Sequence, residues 1–159
     1  MANAKTKEFE IYLEVATDNT PDNAVLDLTD YVDIADNQAF EIHEVDIVLD
    51  PTEDVSALGS DLEVKFQLAD SNIQAFLSHA DRTSLYVARQ TFDTATLGMY
   101  HQESFSSITP LIVSKTLYLR NSSNIAGTFD FTLRMKGRII TPSAKDYMAL
   151  VLTQTGNVA

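Results

Sequence analysis

Apolar and polar residues alternate with a period of two along most of the chain, the pattern of antiparallel strands with one buried and one wet face. In residues 8–16, Phe9, Ile11, Leu13 and Val15 share one side, and Glu8, Glu10 and Glu14 the other. A turn-forming stretch, residues 17–23, precedes a second candidate strand at 25–33. The third, at 39–49, changes parity: Phe40 and Ile42 give way to Val45, Ile47 and Leu49. One extra residue flips every following side chain, so the switch near His43 and Glu44 predicts a β-bulge.

A breaker-rich loop at 50–60 leads to a fourth strand carrying Leu62, Val64, Phe66 and Leu68. Then the period changes. Ile73, Phe76, Leu77 and Ala80 stand at i, i+3, i+4 and i+7 after Asp70, Ser71 and Asn72, which predicts a short helix inserted near 71–80. Further strands are expected at 84–92, 97–106 and 111–120. The eighth, at 128–140, is the longest, with Phe129, Phe131, Leu133, Met135, Gly137 and Ile139 on one face and Asp130, Thr132, Arg134, Lys136 and Arg138 on the other. Past it, Thr141 and Pro142 can start a helix, with Tyr147, Leu150 and Val151 at helical spacing. Residues 141–159 therefore read as a short helix or an apolar extension, and 1–7 as a flexible start.

Eight strand candidates separated by polar turns predict an all-β fold: an antiparallel eight-stranded β-sandwich, with a jelly roll favoured over an immunoglobulin-like sandwich. The chain of 159 residues carries no internal repeat or linker and reads as one domain. It has no Cys, so disulfides and thiolate metal sites are excluded. The opening residues hold no apolar signal core, and no stretch nears the ~18 consecutive apolar residues of a membrane span. Neither a secretory signal nor a transmembrane segment is expected.

Charge is unevenly spread. Residues 1–60 carry fifteen acids against Lys5 and Lys7, whereas 61–159 carry eight acids against nine bases. Such an N-terminal segment is the opposite of a basic arm that neutralises phosphate, so no direct nucleic-acid arm is expected. Within the rest of the chain, Arg134, Lys136 and Arg138 form a basic ladder along one strand face, with Arg120 at the end of the preceding strand. Like charges at this spacing repel unless carboxylates lie near. Glu8, Glu10 and Glu14 are the natural source. They can meet the ladder within one molecule or across two copies, and Tyr147 and Leu150 offer an apolar contact at the C-terminal end.

Catalytic motifs are sparse. His43, His79 and His101 stand alone, with no HxH or HExxH pattern; there is no GxSxG, and five scattered glycines build no phosphate loop. No enzyme chemistry, catalytic residue or cofactor is therefore expected. Asp27, Asp30, Asp33 and Asp36, with Asp18 and Asp22, could ligate Ca²⁺, though no EF-hand spacing supports them. Tyr86, Phe92, Tyr100, Phe105 and Tyr118 could offer a sugar platform, but the chain lacks Trp and most of these suit a core.

In layout the chain resembles the single-jelly-roll coat proteins of small icosahedral viruses: a compact run of strands from Glu8 to Ile140, a mid-chain insertion and ends suited to contact between copies. Lacking a basic arm, it is more similar to those of tailless viruses whose genome lies within an internal membrane or other proteins. The resemblance implies a self-assembling capsid subunit of the virion, whose partners are copies of itself and other capsid proteins. The alternative from a different class is an extracellular sandwich that binds carbohydrate or another ligand, with or without calcium.

Overall fold

The computed structural model describes residues 3–33, 35–106, 110–112 and 116–155, with residues 153–155 as backbone only. Ten strands and one helix lie among them: β1 (Asn3–Ala4), β2 (Phe9–Thr17), β3 (Asp22–Asp27), β4 (Ala39–Leu49), β5 (Leu62–Ala69), β6 (Ser84–Asp93), β7 (Gly98–Phe105), β8 (Leu111–Ile112), β9 (Thr116–Ser123), β10 (Phe129–Thr141) and α1 (Ala144–Thr155). In the front sheet, β10 is flanked on one side by β2 and β1, and on the other by β4 and then β8. The back sheet runs β3-β9-β5-β6-β7. All pairings are antiparallel.

The pairings nest: β2 with β10, β3 with β9, β4 with β8, and β5 with β6. Rolling up one long antiparallel hairpin produces this order, which is jelly-roll connectivity. Strand β7 adds an outer edge to the back sheet. The alternation seen in the sequence explains how the two layers meet. Ile11, Val15, Phe40, Ile47, Phe131 and Leu133 point inward from the front sheet toward Leu62, Val64, Phe66, Leu68, Leu117 and Leu119 of the back sheet. Phe66 and Phe131 meet edge to face at 4.9 Å in this core.

The bulge expected from the parity switch is present. Lys136 pairs with Glu44 but Gly137 pairs with Ile42, leaving His43 as the extra residue of β4. Across from it, the backbones come so close that a Cβ on Gly137 would lie 2.1 Å from the Glu41 carbonyl oxygen and 2.8 Å from the Phe40 ring. Glycine is required here for close approach rather than for an unusual φ.

The sequence expectation fails at residues 71–80, where the chain forms an irregular loop instead of a helix. The cause is tertiary. Gln67, projecting outward from β5, accepts from the Leu77 N–H at 2.7 Å and donates to the Leu77 carbonyl at 3.0 Å, taking backbone groups that a helix would pair internally. Ile73 is buried against the sheet, so an apolar spacing that fits a helix serves a draped loop equally well. The second strand also ends earlier than expected, at Asp27, whose carboxylate accepts the Thr29 N–H and starts a turn. The expected seventh strand becomes β8 in the front sheet and β9 in the back, with 113–115 outside the described residues.

The first and last described segments both engage the front sheet. Asn3 and Ala4 pair with Thr141 and Ile140, and Thr6 Oγ1 accepts the Ile139 N–H. The C-terminal segment forms α1, capped by Ser143 rather than Thr141, because Thr141 still belongs to β10. Ser143 Oγ accepts the Asp146 N–H as an N-cap and donates to the Asp146 carboxylate.

Gly137→Ala is expected to lower the unfolding free energy by about 2–3 kcal/mol, the cost of forcing a tightly packed site apart. Gly59→Ala, where a Cβ meets nothing within 4 Å, is expected to change it by less than about 0.5 kcal/mol. Urea unfolding of the two variants checks both values.

Candidate functional site

Two outward faces carry most of the organised polar chemistry. On the front sheet, register sets Tyr12, Arg134 and Asp46 in one row and Glu10, Lys136 and Glu44 in the next. Arg134 donates to Asp46 and lies 3.5 Å from Glu44 and 3.6 Å from Glu10. Lys136 pairs with Glu8 at 3.3 Å, and Arg138 with Glu41 at 3.2 Å. The ladder's charges are thus met by carboxylates of the same molecule. Each pair is half-exposed and individually weak, but together they remove the repulsion that three aligned cations would create.

The bulge completes this network. His43, turned outward as the extra residue, bridges Glu8 through Nδ1 and Glu41 through Nε2, each at 2.5 Å. A continuous chain Lys136–Glu8–His43–Glu41–Arg138 results. Hydrogen bonding first to Glu8 and then to Glu41 raises the His43 pKa above its ordinary value, and the bond to His43 is the main cause that lowers Glu8. A lone histidine was visible in the sequence; its two carboxylate partners were not.

The other residues singled out from the sequence lie elsewhere. Glu14 stands opposite Thr132, with no cation within 4 Å among the described residues. Arg120 lies on the back sheet, donating to Asn23 at 3.2 Å with its guanidinium 5.8 Å from the Phe76 ring. Tyr147 is buried against Ala39 and Ile140 of its own chain, with Leu150 packed beside it. Of the aspartates with calcium-ligand chemistry, Asp18, Asp22 and Asp33 accept backbone N–H groups of Thr20, Asn23 and Ala35. Among the described residues no group of three or more acids or histidines is arranged to hold a metal ion.

On the back sheet, the 70–83 loop crosses the outer face. Its Phe76 sits over Lys65 at 5.3 Å, and His79 reaches Ser84 at 3.0 Å and Ser104 at 3.1 Å. Between loop and sheet lies an open groove of about 390 Å³, floored by Lys65, Val87 and Arg89 and flanked by Phe76, Gln102 and Ser104. Asp70 stands at the loop's foot, with one carboxylate oxygen buried and no hydrogen-bond partner among the described residues. Burial pushes its pKa up to about 6. Sequence reading missed the groove because its walls come from β5, β6, β7 and a loop whose path Gln67 decides.

His43 has a raised folded pKa, so the stability it contributes is complete below its unfolded value and is lost as pH rises through the folded one. His43→Gln is expected to flatten that alkaline loss, seen as urea midpoints that vary less from pH 6 upward. Asp70 works in the opposite sense to a paired carboxylate: its ionised form is disfavoured, so the penalty grows from pH 3.8 to about 6 and stays above it. Asp70→Asn is expected to stabilise the protein by about 1–2 kcal/mol at neutral pH, allowing for partial solvent screening. Thermal unfolding at pH 7 and pH 3.5 checks this, with the gain absent at the lower pH. Compared with known proteins, the chain matches no family model and no curated sequence.

Proposed function

We propose that this chain is a structural, self-assembling subunit whose copies join through the edge of the back sheet. The observation that carries the reading is β7. Among the described residues this eight-residue edge strand pairs only with β6, and its six central residues are exposed. Met99 and Tyr100 are 59% and 64% exposed, and Leu97 beside them 71%. Natural edge strands are commonly guarded by charges or proline. Residues 94–106 contain no Lys, Arg or Pro and only one acid, Glu103, which accepts a hydrogen bond from Tyr86 and lies 3.2 Å from His101.

Net charge makes this edge more significant. At −12, copies of the chain repel one another over most of their surface. A nearly uncharged strip with free backbone groups and apolar side chains is where two copies approach at least cost. The charged ladder is the poorer candidate, because its cations already have carboxylates within the molecule.

The role is mechanical rather than catalytic: a rigid sandwich offers an edge, and repeated edge contacts build a larger body. Jelly-roll connectivity and the sequence's resemblance to single-jelly-roll coat proteins support a capsid subunit of a tailless icosahedral virus. Copies of the chain and other capsid proteins are then its partners and the virion its location.

Replacing Met99 and Tyr100 together by Glu is expected to weaken self-association roughly tenfold or more, since a few central apolar residues dominate such contacts. Sedimentation velocity over a concentration series, with electron microscopy of large species, measures this. Association of the double variant equal to that of the parent protein would refute the assignment of β7.

A further inference from the structure

The geometry points to a second role for the back sheet: its groove is a binding site for a carboxylate-bearing saccharide. Lys65 and Arg89 are directly paired across β5 and β6, and Arg89 is paired in turn with Gln102 of β7. Like charges placed opposite each other on one sheet face destabilise it unless an anion lies between them. The front sheet supplies carboxylates for each cation of its ladder. The back sheet does not. Lys65 has no carboxylate within 4 Å among the described residues, and Arg89 has one, Glu63, at 3.9 Å. In a chain with 23 acids and 11 bases, two adjacent and poorly neutralised cations form an unusual local field.

The surroundings suggest what the anion is attached to. Phe76 gives the groove an aromatic wall, held in place by Lys65 and by the Gln67 clamp on neighbouring Leu77. Gln102 and Ser104 add neutral polar groups along the opposite side, with Glu103 between them accepting a hydrogen bond from Tyr86, and Val87 lies as an apolar floor. A lone inorganic anion would use the cations and leave the rest idle. A sugar ring can place a carboxylate between Lys65 and Arg89, its apolar face toward Phe76 and Val87, and its hydroxyls toward Gln102 and Ser104. The groove's volume of about 390 Å³ lies within the range of small-ligand sites, roughly 300–1,000 Å³, and its open form admits a chain of sugars. This role does not depend on assembly through β7.

The test is calorimetric titration of the full chain with trigalacturonic acid, with neutral galactotriose and inorganic sulfate as comparison ligands. Trigalacturonic acid is expected to bind, more weakly at high salt, and Lys65→Gln and Arg89→Gln are each expected to reduce affinity about tenfold, the scale of one charge-assisted hydrogen bond. Phe76→Ala is expected to weaken binding too, while Lys136→Gln on the front sheet leaves it unchanged. Sulfate binding as tightly as the saccharide would reduce the groove to a plain anion site and overturn the inference. So would equal binding of galactotriose, or no binding of trigalacturonic acid. If Lys65→Gln alters the mass of the protein in solution but not saccharide binding, the groove receives an acidic segment of another copy, and the inference also falls.

Discussion

The front sheet depends on the close approach of β10 to the β4 bulge. Strand β10 runs thirteen residues between β2 and β4 and carries both the core row of Phe131, Leu133 and Met135 and the outward row of Arg134, Lys136 and Arg138. An extra residue in β4 would push the strands apart at that level unless one partner gave way. Gly137 gives way by having no side chain. The bulge can then turn His43 outward while Ile42 and Val45, on either side of it, both remain buried. One packing constraint thus preserves the core and builds the bridge between Glu8 and Glu41.

That bridge bears on how the molecule meets others. Acids of the N-terminal third and bases of the last strand look, in one dimension, like halves of an interface between copies. In three dimensions, β2 and β4 lie on either side of β10, so the acids reach the bases inside one molecule. The charge left unbalanced is mainly acidic surface, broken by the β7 edge, whose only acid is Glu103, and by the Lys65–Arg89 groove. These two breaks, rather than the ladder, are the surfaces on which the proposed self-association and ligand binding rest.

Much of the fold was legible in the sequence because burial of one strand face imposes period two, and a change of parity has few causes besides a bulge. Strands β2, β4, β5, β6 and β10 follow from that rule within a residue or two of their ends. The 70–83 loop was not legible: a helix and a loop draped over a sheet can bury the same spaced residues, and Gln67, ten residues from Leu77, decided between them. The site was half legible. The ladder and its acids were visible as residue types, but Arg120 joined the opposite sheet, and Tyr147 turned into its own molecule's core because α1 folds back on Ala39 and Ile140. The exposed face of β7 gave little signal, since a strand exposed on both sides has no buried row to mark it.

The most direct test is the mass of the purified protein in solution, followed from low to molar salt. If copies meet at the sparsely charged β7 edge, multimers form and persist or strengthen as salt screens the net charge of −12. A monomer at every salt and protein concentration, or multimers that dissolve as salt is added, would contradict it.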